Sequence, residues 1–190
     1  MSTGFAEPTT TTSPPASPEE PLYEVVNGVK VELPPMSIQS NLIAGDVYFA
    51  LRSFLVDHPI GTPVMEALLI IDPEANLRRR PDVAFVSANR WPLDREVPET
   101  GDWEVVPTIA IEVTSTHDLA RDVEEKTIEY FAHGVEAVWV VHPEHRRIYC
   151  YSSPTETMIL DEKATLDGGD ILPGFKLPLN ELFRRSTATA

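Results

Sequence analysis

Residues 108 to 115, Thr-Ile-Ala-Ile-Glu-Val-Thr-Ser, alternate with the two-residue period of a β-strand, yet neither side is suited to water. Ile109, Ile111 and Val113 point one way, and Thr108, Ala110, Glu112 and Thr114 the other. A strand that is small or apolar on both faces belongs in the middle of a covered sheet. That requirement also carries Glu112 indoors. Burying even a neutral polar group without a partner costs roughly 2–7 kcal/mol. Glu112 must therefore be paired, protonated or bound to a cation.

Two more charges stand where charge is unwelcome. Asp82 leads directly into the short apolar strand Val83-Ala84-Phe85-Val86, and Pro81 fits the first residue of a strand, where a missing N–H does no harm. A helical pattern runs from Asp118 to Ala132. At 100° per residue, Leu119, Val123, Lys126 and Tyr130 share one narrow arc, so Lys126 projects from the face that packs on the sheet. Taken alone, that lysine reads as a snorkelling side chain or a partner of Asp122, its i−4 neighbour. Beside two strand carboxylates it reads as part of a site.

A chain of 190 residues is long enough for one domain with a substantial core. Hydrophobic content of 42% and charged content of 24% are ordinary for a globular domain. The lone Cys150 excludes an internal disulfide framework and suits a reducing, cytoplasmic setting. There is no apolar run of the ~20 residues a bilayer span needs, and no signal peptide is expected at the N-terminus. A net charge of −15 argues against non-specific nucleic-acid binding through the whole surface. Local basic patches remain, at Arg90, Arg95, Arg146, Arg147, Arg184 and Arg185. Arg78-Arg79-Arg80 reads equally as a solvated turn or as a source of one arginine for Asp82.

Taken in order, residues 1–20 are rich in Thr, Ser, Pro and Glu and are expected to form a disordered tail. Tyr23 to Glu32 is a hairpin around Asn27-Gly28. Ser37 caps a helix to about Asp57, with Ile38, Leu42, Phe49 and Leu55 among its apolar residues. Val64 to Ile71 reads as one buried strand. Ala88 to Val106 is a long polar connection, whose Trp91 and Trp103 either stack on a base or anchor the loop to its own core. His133-Gly134 stops the second helix, and Ala137 to Val141 is another buried strand. Arg147 to Tyr151 and Met158 to Leu160 suggest further strands, Asp167-Gly168-Gly169-Asp170 a turn, and Leu179 to Arg185 a terminal helical turn.

Other constellations are weaker. His142, His145 and Cys150 make an incomplete zinc set and read as exposed turn residues. Ser115 and His117 are too close in sequence to define a nucleophile–base pair. Gly168-Gly169 lacks a phosphate-loop pattern. Glu24 is a possible further acid, although a hairpin glutamate is usually exposed.

Two strand carboxylates with a helix lysine nearby suit a hard divalent cation, Mg²⁺ or Mn²⁺, rather than zinc. Such an ion polarises a phosphoryl oxygen and lowers the pKa of bound water. The lysine would orient that water or stabilise transition-state charge. Without a metal, one of the two acids should have a raised pKa. The reaction class is metal-assisted phosphodiester hydrolysis.

Pro81-Asp82 followed by Glu112-Val113-Thr114 resembles the PD-(D/E)XK nuclease signature. The ordered set is similar to the Uma-type family of bacterial putative restriction endonucleases over most of residues 23 to 183. It comprises the Tyr23-Glu24 to Gly28 hairpin, Pro81-Asp82-Val83, Ile111 to Ser115, and Asp122, Lys126 and Tyr130 at four-residue steps. It continues through Gly134-Val135, Trp139 to Val141 and Pro173-Gly174-Phe175. The resemblance implies an α/β (α+β) restriction-endonuclease-like fold, a mixed sheet flanked by helices. It also implies Asp82, Glu112 and the Val113 carbonyl as ligands of Mg²⁺ (or Mn²⁺), Lys126 as the catalytic lysine and DNA as substrate. Position 114, where the superfamily usually carries its lysine, is Thr here; the family's lysine comes instead from the next helix. Gln39-Ser40 stands where the family often has a histidine, and His142 where it often has an aspartate. Cutting both strands of a duplex suits a homodimer. The rival is a catalytically silent binding or regulatory module that keeps the fold.

Overall fold

Turn chemistry sets the first element. Asn27 and Gly28 both adopt positive φ, 51° and 76°, as a two-residue type I′ hairpin loop requires. They join β1 (Tyr23–Val26) to β2 (Val29–Glu32). The computed structural model describes residues 21–99, 101–115 and 118–185. The segment expected to be a disordered tail lies outside them. Ser37 caps α1 (Ile38–Asp57), accepting from the Ser40 N–H at 3.0 Å. Strands β3 (Gly61–Met65), β4 (Leu69–Asp72), β5 (Leu77–Arg79) and β6 (Val83–Ser87) follow. Beyond the long connection come β7 (Ile109–Val113), α2 (Ala120–Ala132) and β8 (Ala137–His142). Strands β9 (Arg147–Ser153), β10 (Glu156–Asp161), β11 (Thr165–Asp167) and β12 (Lys176–Pro178) lead to α3 (Leu179–Leu182) and a 3-10 turn over Phe183–Arg185.

The six-stranded sheet has the order β10-β9-β8-β7-β6-β3. The doubly apolar strand β7 is interior, antiparallel to β6 and parallel to β8. Parallel neighbours need a crossover, and α2 supplies it. A smaller sheet, β2-β1-β5-β4, lies on the same side of the main sheet as α2.

The alternation in β7 separates two cores. Ile109, Ile111 and Val113 pack with Val83, Phe85 and the inner face of α1. Ala110 packs on the opposite side with Ala84, Val138, Val140 and Tyr130 of α2. Asp82 and Glu112, two residues along from Ala84 and Ala110, therefore lie on the α2 side of adjacent strands. Register agrees, because Val83 stands opposite Ile111 and so sets Asp82 beside Glu112.

Two expectations change, the single strand over Val64 to Ile71 and the start of α2. The run Val64 to Ile71 is two strands in different sheets, β3 beside β6 and β4 beside β5. Glu66 breaks it with φ of 47°, a left-handed residue that turns the chain. In α1 the buried face is Ile43, Ala44, Val47, Leu51 and Leu55. Of the apolar residues named from the sequence, Leu55 is inside, whereas Ile38, Leu42 and Phe49 face out. Helix α2 starts at Ala120, so Leu119 precedes it and is exposed.

Candidate active site

Lys126 and Tyr130 are one helical turn apart on α2 and reach down to the same carboxylate. The Lys126 ammonium donates to Glu112 Oε2 at 3.1 Å, and the Tyr130 hydroxyl donates to Glu112 Oε1 at 2.7 Å. Lys126 is not paired with Asp122, which instead bonds Arg121. On the neighbouring strand, Asp82 Oδ2 accepts from the Val113 N–H at 2.6 Å. The three residues expected to form the site thus converge. They open on one cleft of about 500 Å³, walled on its far side by the N-terminal hairpin and the segment through Met36.

A third carboxylate joins them. Glu24, a possible further acid that its place in a hairpin led us to expect exposed, is 3% exposed. Its Oε1 lies 2.9 Å from Lys126 Nζ and accepts the Arg80 N–H, while Oε2 accepts from Arg79 at 2.7 Å. Arg79 also bonds Glu129 of α2. The triple arginine is therefore neither a solvated turn nor a clamp on Asp82. Arg79 serves Glu24, Arg80 bonds the Tyr23 and Glu66 carbonyls, and Arg78 pairs with Asp102. Nothing local in the sequence marked the burial of Glu24: Val31, its partner across the hairpin, is itself exposed.

The charges are unequal to one another. Glu24, Asp82 and Glu112 face Lys126 and Arg79, and Arg79 is shared with Glu129. Burial, then the neighbouring Glu112 charge, pushes the Asp82 carboxyl up to about 7, against the lowering effect of the Val113 N–H. Burial raises Glu112 as well, although Lys126 pulls the other way. Burial opposes ionisation of Glu24, but Lys126 and Arg79 outweigh it and hold this carboxyl low. Burial likewise disfavours a charged Lys126, and Glu112 and Glu24 overcome it, so the ammonium stays protonated. Of the two acids read from the sequence, Asp82 is thus one that resists ionisation, the condition expected when no metal is bound.

Other candidates separate from the cleft. Trp103 is buried and meets Trp91 edge-to-face at 5.3 Å, so these tryptophans anchor their own loop. His142 shares a hydrogen bond with Thr114 at 3.1 Å and is half-buried, whereas His145 is exposed. Cys150 belongs to β9 opposite Trp139, and burial pushes its thiol up to about 12. His117 lies outside the described residues.

The donor set fits a hard cation. Asp82, Glu112 and the Val113 carbonyl offer oxygen only, and the Asp82 carboxyl, raised first by burial and then by the Glu112 charge, is one that a bound cation would favour in its ionised form. The bond from Val113 engages Oδ2 alone. Each Glu112 oxygen has two acceptor positions, so the bonds from Lys126 and Tyr130 do not exhaust it. Among the described residues there is no group of three or more His, Cys, Asp and Glu side chains arranged to hold an ion. A cation here would therefore rely on two carboxylates, a carbonyl and water.

Among solved structures, a putative nuclease of the DUF820 group from Anabaena variabilis shares the fold, with a TM-score of 0.74 and 19% identity. The match covers 88% of this chain and 92% of that one. The mixed sheet with α1 on one side and α2 on the other is thus a restriction-endonuclease-like fold. No curated protein matches the chain. A family model described as "Putative restriction endonuclease" matches residues 12–180, nearly the whole length and every residue of the cleft. The chain belongs to that family, Uma2.

Proposed function

We propose that this protein is a metal-dependent endonuclease that hydrolyses DNA phosphodiester bonds in the cleft between α2 and the N-terminal hairpin. One observation carries the reading. Asp82, Glu112 and Lys126 come from two adjacent strands and the helix that follows them, and they meet in one cleft. Family membership supports the same activity class. A divalent ion, Mg²⁺ or Mn²⁺, would polarise the scissile phosphate and acidify a bound water when present. Asp82, Glu112 and the Val113 carbonyl are the oxygens that would hold it. Lys126, kept protonated, cannot act as a base. Its remaining N–H donor capacity orients the attacking water or stabilises charge on the phosphoryl oxygens. Glu24 fixes where that ammonium sits.

The test is cleavage of supercoiled, linear, branched and single-stranded DNA with Mg²⁺ or Mn²⁺ supplied. Wild type should cut at least one of these. Asp82→Ala, Glu112→Ala and Lys126→Ala should each reduce the rate at least a hundredfold, with folding checked by circular dichroism. Equal rates for wild type and all three variants would remove the reading. One feature favours a silent binding module instead: Lys126 is already held by two carboxylates, in a chain of net charge −15. That alternative predicts no divalent-ion binding at neutral pH.

A further inference from the structure

Helix α1 is apolar nearly all round, the pattern of a helix covered on every side, yet one face is open. Ile38 is 82% exposed, Phe49 and Val56 are 70% each, and Leu42 is 43%. At 100° per residue these four, with Gly45 and Arg52, fall within an arc of about 80° opposite the buried face. The stripe runs about 27 Å along the helix. Arg52 is the one charge on it, in a chain whose surface is otherwise strongly acidic. Gly45 sharpens the point. Glycine in a helix interior weakens it relative to alanine. A Cβ at this position would meet nothing within 4 Å, so packing within the described chain gives no reason for a glycine.

We propose that this face binds a second copy of the chain, α1 against α1, antiparallel about a two-fold axis level with Val47. The spacing is self-complementary in that register. Ile38 comes level with Val56 of the second copy, Leu42 with Arg52, and Gly45 with Phe49. Each Phe49 ring then enters the gap left by Gly45 of the other copy, bounded by Leu42 and Phe49 of that helix, as a knob enters a hole. Leu42 lies along the aliphatic stem of Arg52. The stripe carries no carboxylate, so two anionic chains meet without burying unpaired acid charge. A single helix pair is at the small end of interface sizes, and association belongs in roughly the micromolar range. The stripe faces away from the main sheet, although its Ile38 end lies between Met36 and Ser40 of the cleft wall, and the inference does not rest on the nuclease reading.

Sedimentation velocity of the full chain over a concentration series reads it directly. Wild type should pass from monomer to dimer, and Phe49→Glu should weaken association at least tenfold without shifting the thermal unfolding midpoint of the monomer. In a Cys150→Ser background, Gly45→Cys chains mixed with Phe49→Cys chains should cross-link to one another. Ile38→Cys chains alone should not, since the two copies of residue 38 lie at opposite ends. A protein that stays monomeric throughout, a dimer that Phe49→Glu leaves intact, or efficient cross-linking of Ile38→Cys to itself would each overturn the proposal.

Discussion

The ammonium of Lys126 on α2 stands 2.9 Å from Glu24 Oε1 on β1, tying the crossover helix of the main sheet to the first strand of the small one. The same ammonium holds Glu112. Removing it leaves buried carboxylates without their counter-charge, which typically costs about 3–5 kcal/mol. Lys126→Met should therefore lower stability by that order in urea unfolding. Combined with Glu24→Gln, the loss should be smaller than the sum of the single changes, with a coupling of about 1–3 kcal/mol. Additive single and double variants would mean that the two side chains do not interact in solution.

Asp82 makes the stability depend on pH in the opposite sense to an ordinary salt-bridged acid. Its carboxyl is raised from 3.8 to about 7 in the folded chain. The unfolded chain ionises it first. Its contribution is fully present below pH 3.8, falls as pH rises towards 7, and is gone above that. The loss amounts to at most roughly 4 kcal/mol. Asp82→Asn keeps an acceptor for the Val113 N–H and cannot ionise. In melts without divalent ions it should be more stable than wild type at pH 8, and the advantage should vanish by pH 4. An advantage that is the same at both pH values would show that Asp82 titrates normally.

Much of this arrangement was legible in the residues. The two-faced apolarity of Ile109–Val113 fixed an interior strand, and period-two alternation sent Glu112 to the side opposite Ile111. The helical arc then set Lys126 and Tyr130 above it. Glu24 was named as a possible acid, but its burial escaped because it depends on where the hairpin lands, a long-range contact that local alternation does not encode. Arg79 escaped with it, since both its partners are distant in sequence. The split of Val64 to Ile71 turned on Glu66 taking a positive φ, which a glutamate rarely announces. In α1 apolar residues occur on every side, so periodicity could not choose the face that packs.

Tyr130 separates support of the carboxylate from chemistry at the cleft. Its hydroxyl is buried and donates to Glu112 Oε1 at 2.7 Å. Tyr130→Phe keeps the ring and removes that donor, leaving a buried carboxylate oxygen short of a partner, a loss of about 1–3 kcal/mol. Stability in urea should fall by that amount at pH 8. Below the folded pKa of Glu112, which burial raises, the loss should shrink, because the protonated carboxyl needs less help. A deficit that does not change with pH would show that the hydroxyl's contribution does not depend on the charge of Glu112.

Metal affinity should follow the protonation of Asp82. A divalent ion needs the carboxylate, so at pH values below about 7 binding must expel a proton. Calorimetric titration with Mn²⁺ should show affinity rising roughly tenfold per pH unit up to the Asp82 pKa and levelling above it. In the rising range, heats measured in buffers of different ionisation enthalpy should report at least one proton released. Asp82→Asn should lose most of the affinity and the share of this pH dependence that Asp82 carries. Lys126→Met should instead bind Mn²⁺ at least as tightly as wild type, since a competing cation has left Glu112, while failing to cleave DNA. Mn²⁺ binding that ignores both pH and Asp82→Asn would locate the ion elsewhere, and the Asp82–Glu112 pair would have to be read as structural.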